Sequence, residues 1–178
     1  MLRVTLGVTL GLVLAGCLAG CGSPPKKHVE HPEQRAARHT AHSLLEQARD
    51  DVRNGDLDAA DKAYADAYDA AKQFDVLEER VDFLEHAGRA GKAVTVAKAY
   101  YDANISDVKG YSLYADALLA AARGSDALDV ANQILGFSDQ DPDGHAKKGR
   151  ALLLLDKSED GLEELRKPVH LAPDSAEY

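Results

Sequence analysis

Three kinds of side chain in this 178-residue sequence are suited to chemistry: thiols, imidazoles and carboxylates. The two cysteines, Cys17 and Cys21, both lie near the N-terminus. The later chain therefore has no thiol for nucleophilic or metal chemistry and forms no disulfide. Residues 28–42 hold four of the seven histidines. Among them, His39 and His42 are three residues apart, a spacing at which two imidazoles on one helix face can bind a metal ion.

The remaining composition argues against catalysis and against nucleic acid. The sequence contains no glycine-rich phosphate loop and no G-x-S-x-G motif. Acidic residues outnumber basic ones by 30 to 21, which gives a net charge of −9. Nucleic-acid binding depends on clustered Lys and Arg, so this balance disfavours it. We predict no enzyme activity, no cofactor and no small-molecule substrate, and we keep a metal site at the histidines as an alternative.

The first 21 residues are typical of an export signal. Arg3 gives a short positive start, and the apolar run over 4–13 is too short to span a bilayer comfortably. The sequence Leu-Ala-Gly-Cys then occurs twice in tandem, ending at Cys17 and again at Cys21. Each copy resembles the bacterial lipobox, in which a signal peptidase cuts before the cysteine and the thiol receives a diacylglycerol. The resemblance implies lipidation at one of these two cysteines.

The residues after each cysteine favour Cys21 as the lipidated one. A polar Gly-Ser-Pro-Pro segment follows Cys21, whereas Cys17 would leave an apolar segment at the new N-terminus. Residues 22–38, with proline, lysine and histidine, are predicted to form a flexible tether. No Asp follows either cysteine, which by the rule for enteric bacteria implies transport to the outer membrane, facing the periplasm. An ordinary secretory peptide or an uncleaved anchor are the alternatives.

Small residues recur at a fixed period through the rest of the chain. Ala60, Ala93, Ala127 and Gly161 are separated by 33, 34 and 34 residues. Four units follow from this period, near 41–73, 74–107, 108–141 and 142–175. A period of this length indicates an array of helix pairs.

Local patterns within the units agree with paired helices. Apolar residues from Leu57 to Ala71 recur at steps of three and four, as on one face of a helix. Asn54-Gly55-Asp56 and Asp141-Pro142 are typical of helix ends and starts. We expect Ala60 to lie between two helices, where a larger side chain would not fit. We expect its neighbour Asp61 to lie on the surface.

At this point the sequence resembles the tetratricopeptide-repeat family. That family pairs a small residue in the first helix with Ala, an aromatic residue and Ala in the second, followed by Pro. Ala48, Ala115 and Gly149 match the first-helix position, Ala60-Tyr64-Ala67 matches the second-helix set, and Pro173 matches the final proline. The resemblance implies an all-α, right-handed solenoid of about four helix pairs over residues 39–178. The first three units lack the final proline, and a simple helical bundle is the alternative.

The family's first helices line a concave face that binds protein partners. Transferred by repeat position, the resemblance implies a groove that is acidic in the middle and basic towards both ends. Its subgroup that grips C-terminal carboxylates uses Lys and Asn, and here Glu78, Ser112 and Ala146 occupy the Lys position, so that grip is absent. A solvated acidic face is the alternative. The predicted partner-binding residues are Arg49, Arg53, Asp75, Glu78, Asp82, Glu85, Asp116 and Arg150.

Together these patterns predict a lipid-anchored scaffold or adaptor of the bacterial cell envelope. It would bind protein partners, including one with a basic segment, and would act as an assembly factor for an outer-membrane complex. One alternative is a permanent structural subunit of an envelope assembly. The other is a metal-binding protein or envelope enzyme that uses the histidine cluster.

Overall fold

Eight helices make up the part of the chain that the structure describes. The computed structural model describes residues 31–171, with side chains to residue 167. No strand occurs in that range, and none of its helices is long and apolar enough to cross a membrane. Cys17 and Cys21 lie outside the described residues. The helices are α1 (Pro32–Asn54), α2 (Leu57–Ala71), α3 (Phe74–His86), α4 (Ala90–Ala103), α5 (Val108–Ala120), α6 (Gly124–Phe137), α7 (Pro142–Leu154) and α8 (Ser158–Leu171).

The helices pair and stack as a repeat array. Each helix packs against the next along the chain, and in addition α3 packs against α5 and α5 against α7. The first helices of successive units therefore form one layer, and the second helices lie on its other side. The result is an all-α helical solenoid, as the period predicts.

The first helix begins earlier than the sequence predicts. Helix α1 starts at Pro32, so residues 32–38 belong to the array rather than to the tether predicted over 22–38. Pro32 occupies the first helical position, where its fixed φ and missing N–H cost nothing. Glu33 lies in the first turn, where its charge favours the positive helix end. The proline that indicated a tether therefore starts a helix.

The predicted helix boundaries are confirmed where turn residues specify them. Gly55 follows α1 with φ of 79°, a left-handed conformation that glycine adopts without strain. The Asp56 side chain then caps α2 by accepting a hydrogen bond of 3.0 Å from the Ala59 N–H. Asp141 caps α7 in the same way, accepting 2.8 Å from the Gly144 N–H.

Small residues bring the two helices of each pair together. Ala48, Ala60 and Ala115 are completely buried, as the repeat pattern predicts. The helices of the last pair approach each other closely at two glycines. A Cβ added at Gly149 would lie 2.9 Å from the Gly161 carbonyl oxygen, and one added at Gly161 would lie 3.0 Å from the Gly149 carbonyl oxygen. Glycine at position 161 therefore permits backbone contact between α7 and α8.

The expectation that Asp61 lies on the surface is wrong. Its residue is only 4% exposed, and its carboxylate pairs with Arg80 at 2.8 Å and with Lys92. Burial alone would raise the pKa of Asp61, but hydrogen bonds from Lys92 and Arg80 outweigh it and lower the pKa. Asp61 thus links α2 to α3 and α4.

A second buried carboxylate links α7 to α8. Glu164 and His145 are each 8% exposed, and His145 Nδ1 lies 2.7 Å from Glu164 Oε2. Lys148 and Lys167 each approach the same carboxylate to 3.0 Å. Burial opposes ionisation, yet these hydrogen bonds lower the pKa of Glu164 to about 2. The last pair is therefore held by ion pairing as well as by apolar packing.

Enlarging Ala60 tests the repeat register. Because Ala60 is completely buried, Ala60→Leu should overpack the first pair and lower the free energy of unfolding by about 1–3 kcal/mol. The measurement is chemical denaturation. Lys62→Gln is the control, since the Lys62 side chain is 76% exposed and its surface ion pair contributes at most about 1 kcal/mol. Equal effects of the two changes would contradict the register.

Candidate partner-binding groove

A groove runs between α3 and α5 on the layer of first helices. Its first part is a cavity of about 580 Å³ with Phe74 and Leu113 among its apolar residues. Phe74 begins α3 and Leu113 lies in α5, so both helices supply apolar lining. Its polar lining residues are Gln73, Asp75, Glu78, Lys109, Ser112 and Asp116.

A second cavity of about 320 Å³ continues the groove towards α7. Val81, Leu113 and Ala120 supply its apolar surface. Glu78, Leu113 and Asp116 line both cavities, so the two form one continuous groove. The charged residues of the second cavity are Glu78, Asp82, Glu85, Asp116 and Arg150.

The structure thus brings together six of the eight predicted partner-binding residues. Four of them recur along α3 at steps of three and four, which places them on one face of that helix. Asp116 joins them from α5 and Arg150 from α7. The six residues are Asp75, Glu78, Asp82, Glu85, Asp116 and Arg150.

Arg49 and Arg53 line neither cavity. Arg49 donates two hydrogen bonds to the Glu79 carboxylate, 2.8 and 2.9 Å long, and so joins α1 to α3. This hydrogen-bonded pairing lowers the pKa of Glu79 and raises that of Arg49. Arg53 pairs with Asp50 one turn away on α1. The described contacts of both arginines are therefore ion pairs with the chain's own carboxylates.

Glu85 is the least compensated acid in the groove. Its Oε1 atom is buried and has no hydrogen-bond partner. Burial raises the pKa of Glu85, and the nearby charges of Asp116 and Asp82 raise it further. A cation brought next to this oxygen would relieve both effects.

Asp116 differs because a buried lysine compensates it. Burial raises the pKa of Asp116, and the charge of Lys147 opposes that rise only in part. Lys147 is 5% exposed, and its Nζ lies 3.0 Å from Asp116 Oδ2 while also pairing with Asp143. Arg150 adds a looser contact of 3.6 Å to Asp116. Sequence reasoning missed Lys147 because no shared residue type marks its repeat position, which holds Glu79 and Leu113 in the two preceding units.

Two further polar contacts shape the groove surface. Ser112 donates a hydrogen bond of 2.7 Å to Asp143, which joins α5 to α7. His86 Nδ1 lies 2.9 Å from the Asp82 carbonyl oxygen, and this contact, with the Asp82 carboxylate, raises the pKa of His86. Asp82 therefore has a titratable neighbour on its own helix.

The histidine alternative lies on a different part of the molecule. His39 and His42 line a shallow cavity of about 280 Å³ on α1, beside Arg35 and Arg38. Within residues 31–171, no group of three or more His, Cys, Asp or Glu side chains is placed to hold a metal ion.

Solved structures with the same architecture define the class of fold. The fragment of MamA from Desulfovibrio magneticus RS-1 that begins at its residue 41 is 20% identical, with a TM-score of 0.57 over 75% of this chain and 76% of that chain. YrrB, described as a TPR protein with an unusual peptide-binding site, is 16% identical, with a TM-score of 0.57 over 76% of this chain and 70% of its own.

A third likeness points the same way. A tetratricopeptide repeat protein from Parabacteroides merdae is 15% identical, with a TM-score of 0.57 over 78% of this chain and 56% of its own. No protein-family model and no curated protein matches the chain. At these identities the likeness concerns the fold, so this chain has the helical-solenoid fold of tetratricopeptide-repeat proteins.

Removing the charge of Glu85 should stabilise the protein at neutral pH. An acid whose pKa is raised by folding is favoured in its protonated form, so its contribution to stability falls as pH rises from the unfolded pKa through the folded one. Glu85→Gln should therefore raise the melting temperature at pH 7 and have little effect near pH 4.

The matched control for this prediction is Glu78→Gln. Glu78 lies in the same groove but is exposed, so its change should affect stability little at either pH. Thermal unfolding of both variants at the two pH values is the measurement. A loss of stability in Glu85→Gln at pH 7 would show that the buried oxygen is compensated.

Proposed function

We propose that this protein is an adaptor of the bacterial envelope whose acidic groove binds a basic segment of a protein partner. The observation that supports this most directly is the continuous groove between α3 and α5, with Glu85 Oε1 buried and unpaired beside it. The fold supports a binding role because its relatives by structure include a peptide-binding TPR protein.

The charge distribution specifies the kind of segment that fits. Glu78 and Asp116 line both cavities, whereas Lys109 lines only the first and Arg150 only the second. The middle of the groove is therefore acidic and its two ends carry cations. A segment with Lys or Arg at its centre and neutral or acidic flanks complements this pattern, and opposite potentials speed the encounter.

The groove does not suit a C-terminal carboxylate. A carboxylate needs cationic or amide donors, yet Glu78 and Ser112 occupy the positions where such donors are required. Ala146 occupies the third such position and is itself 7% exposed, within the core. This favours an internal basic segment over a chain terminus.

The N-terminal motifs support an envelope location. Both Leu-Ala-Gly-Cys sequences lie in residues 14–21, directly before the segment that the sequence predicts as a tether. A lipoprotein bears two or three acyl chains, and two are already enough for stable anchoring. We propose that the lipid is attached to Cys21 and that the protein lies in the outer membrane, facing the periplasm. Its proposed role is in the assembly of an outer-membrane complex.

Neutralising two groove acids tests the binding site. Glu78 and Asp82 are both exposed, so Glu78→Gln with Asp82→Asn should leave folding intact or slightly improved, since like charges this close repel by a few tenths of a kcal/mol. Capture of a partner by a photo-crosslinking residue at Ser112, which lines the first cavity, should weaken. The dependence of that capture on salt should flatten.

The matched control removes the same charge elsewhere. Asp129 on α6 and Glu163 on α8 are exposed and line no cavity of the groove. Asp129→Asn with Glu163→Gln should leave capture and its salt dependence unchanged. Unchanged capture in the groove variant would assign the acids to a solvated face.

Changing the cysteines tests the anchor separately. Cys21→Ser should abolish labelling with a radioactive fatty acid or shift it to Cys17, and changing both should release the protein from membranes. Labelling that persists in the double variant would rule out the lipoprotein assignment, whatever the groove binds.

A further inference from the structure

A cavity on the other layer of the array has no role in the proposed groove. It lies between α2, α3 and α4 and has a volume of about 350 Å³. A water molecule takes up about 30 Å³ of the liquid, so a side-chain ring fits here. The lining includes the aromatic residues Tyr68 and Tyr100, the aliphatic residues Leu77 and Ala103, and Arg80.

The equivalent place one repeat further along is filled by the chain's own rings. The ring centroids of Tyr101 and Tyr111 are 4.7 Å apart, and those of Tyr101 and Tyr114 are 5.0 Å apart. Phe137 completes the cluster at 5.1 Å from Tyr111. The Tyr101 hydroxyl also donates a hydrogen bond of 2.8 Å to Gln133 on α6.

The repeat period pairs residues that line the cavity with residues of this aromatic cluster and its surroundings, one repeat later. One tyrosine is kept and Tyr100 replaces Ile134, but residues without rings replace the other three rings of the cluster. The vacancy therefore lies where the next repeat holds aromatic side chains. The equivalent pairs are Tyr68 with Tyr101, Leu77 with Tyr111, Arg80 with Tyr114, Ala99 with Gln133, and Ala103 with Phe137.

The walls of the cavity are suited to an aromatic ring. Tyr100 already packs against Phe74 with centroids 5.1 Å apart, so a ring inserted beside Tyr100 extends an existing aromatic contact. Arg80 is held by the buried Asp61, and its guanidinium offers a positive charge that complements the negative face of a ring.

We propose that this α2–α4 cavity binds a phenylalanine or tyrosine side chain supplied by a partner protein. The next repeat shows how such a ring packs, because Phe137 there lies against Tyr111, the counterpart of Leu77. This site is separate from the acidic groove, since none of its lining residues except those of α3 lies on the layer of first helices. A partner that engages both sites would contact both layers of the array.

Small amide probes test the site on the full-length chain. N-acetyl-phenylalaninamide and N-acetyl-tyrosinamide should shift the backbone amide resonances of Thr95 and Ala99, which line the cavity, at lower concentration than N-acetyl-leucinamide or N-acetyl-lysinamide. Ala103→Phe places a ring where Phe137 lies in the next repeat and should weaken aromatic-probe binding at least tenfold.

Two controls separate this result from misfolding and from the groove. Ala103→Ser keeps the cavity open and should keep the binding, as should Glu78→Gln in the groove. If Ala103→Phe does not fold, Leu77→Tyr, the counterpart of Tyr111, is the second filling variant. Equal shifts from the leucine and phenylalanine probes, or unchanged binding in a folded filling variant, would overturn the proposal.

Discussion

Close approach of two helix backbones is the constraint on which this array depends. In the first pair the approach needs alanine, with Ala48 and Ala60 completely buried. In the last pair it needs glycine, because Gly149 and Gly161 each lie where a Cβ would meet the other's carbonyl oxygen. The pairs then stack so that α3, α5 and α7 lie side by side, and only this stacking places acids from two helices along one groove.

The acids with buried oxygen atoms differ in whether cations surround them. Asp61 and Glu164 lie between helices, and each is surrounded by cations that lower its pKa. Glu85 lies at the groove with its Oε1 atom buried and without a hydrogen-bond partner, and its pKa is raised. The first arrangement stabilises the fold, whereas the second costs stability. A structural role does not explain an acid at a groove that nearby cations compensate only in part.

The period, the helix pairs and the groove acids could be predicted because they depend on local pattern. Steps of three and four place Asp75, Glu78, Asp82 and Glu85 on one helix face whatever the rest of the chain does. The turns at Gly55 and Asp141 follow equally from local chemistry.

The missed features depend on contacts between distant residues. Asp61 is polar, and only the positions of Arg80 and Lys92 reveal that it is buried. The burial of Lys147 depends on its partners, which come from its own helix and from α5. The cavity near Tyr100 is lined by residues of three helices, so the pattern of any single helix does not reveal it. The predicted tether extended too far, past Pro32, because proline is typical both of tethers and of helix starts.

The bridge between Lys147 and Asp116 has a thermodynamic consequence for the whole array. In a linear stack each unit contacts only its neighbours, so the α7–α8 pair can open locally while the earlier pairs stay folded. Such opening would withdraw Lys147 from Asp116 and leave the groove more negative. If a cationic segment binds the groove as proposed, it should bind the opened form more tightly, and by reciprocity its binding should favour opening. On the proposed function, opening at one end of the solenoid and binding at its centre would be a single coupled equilibrium.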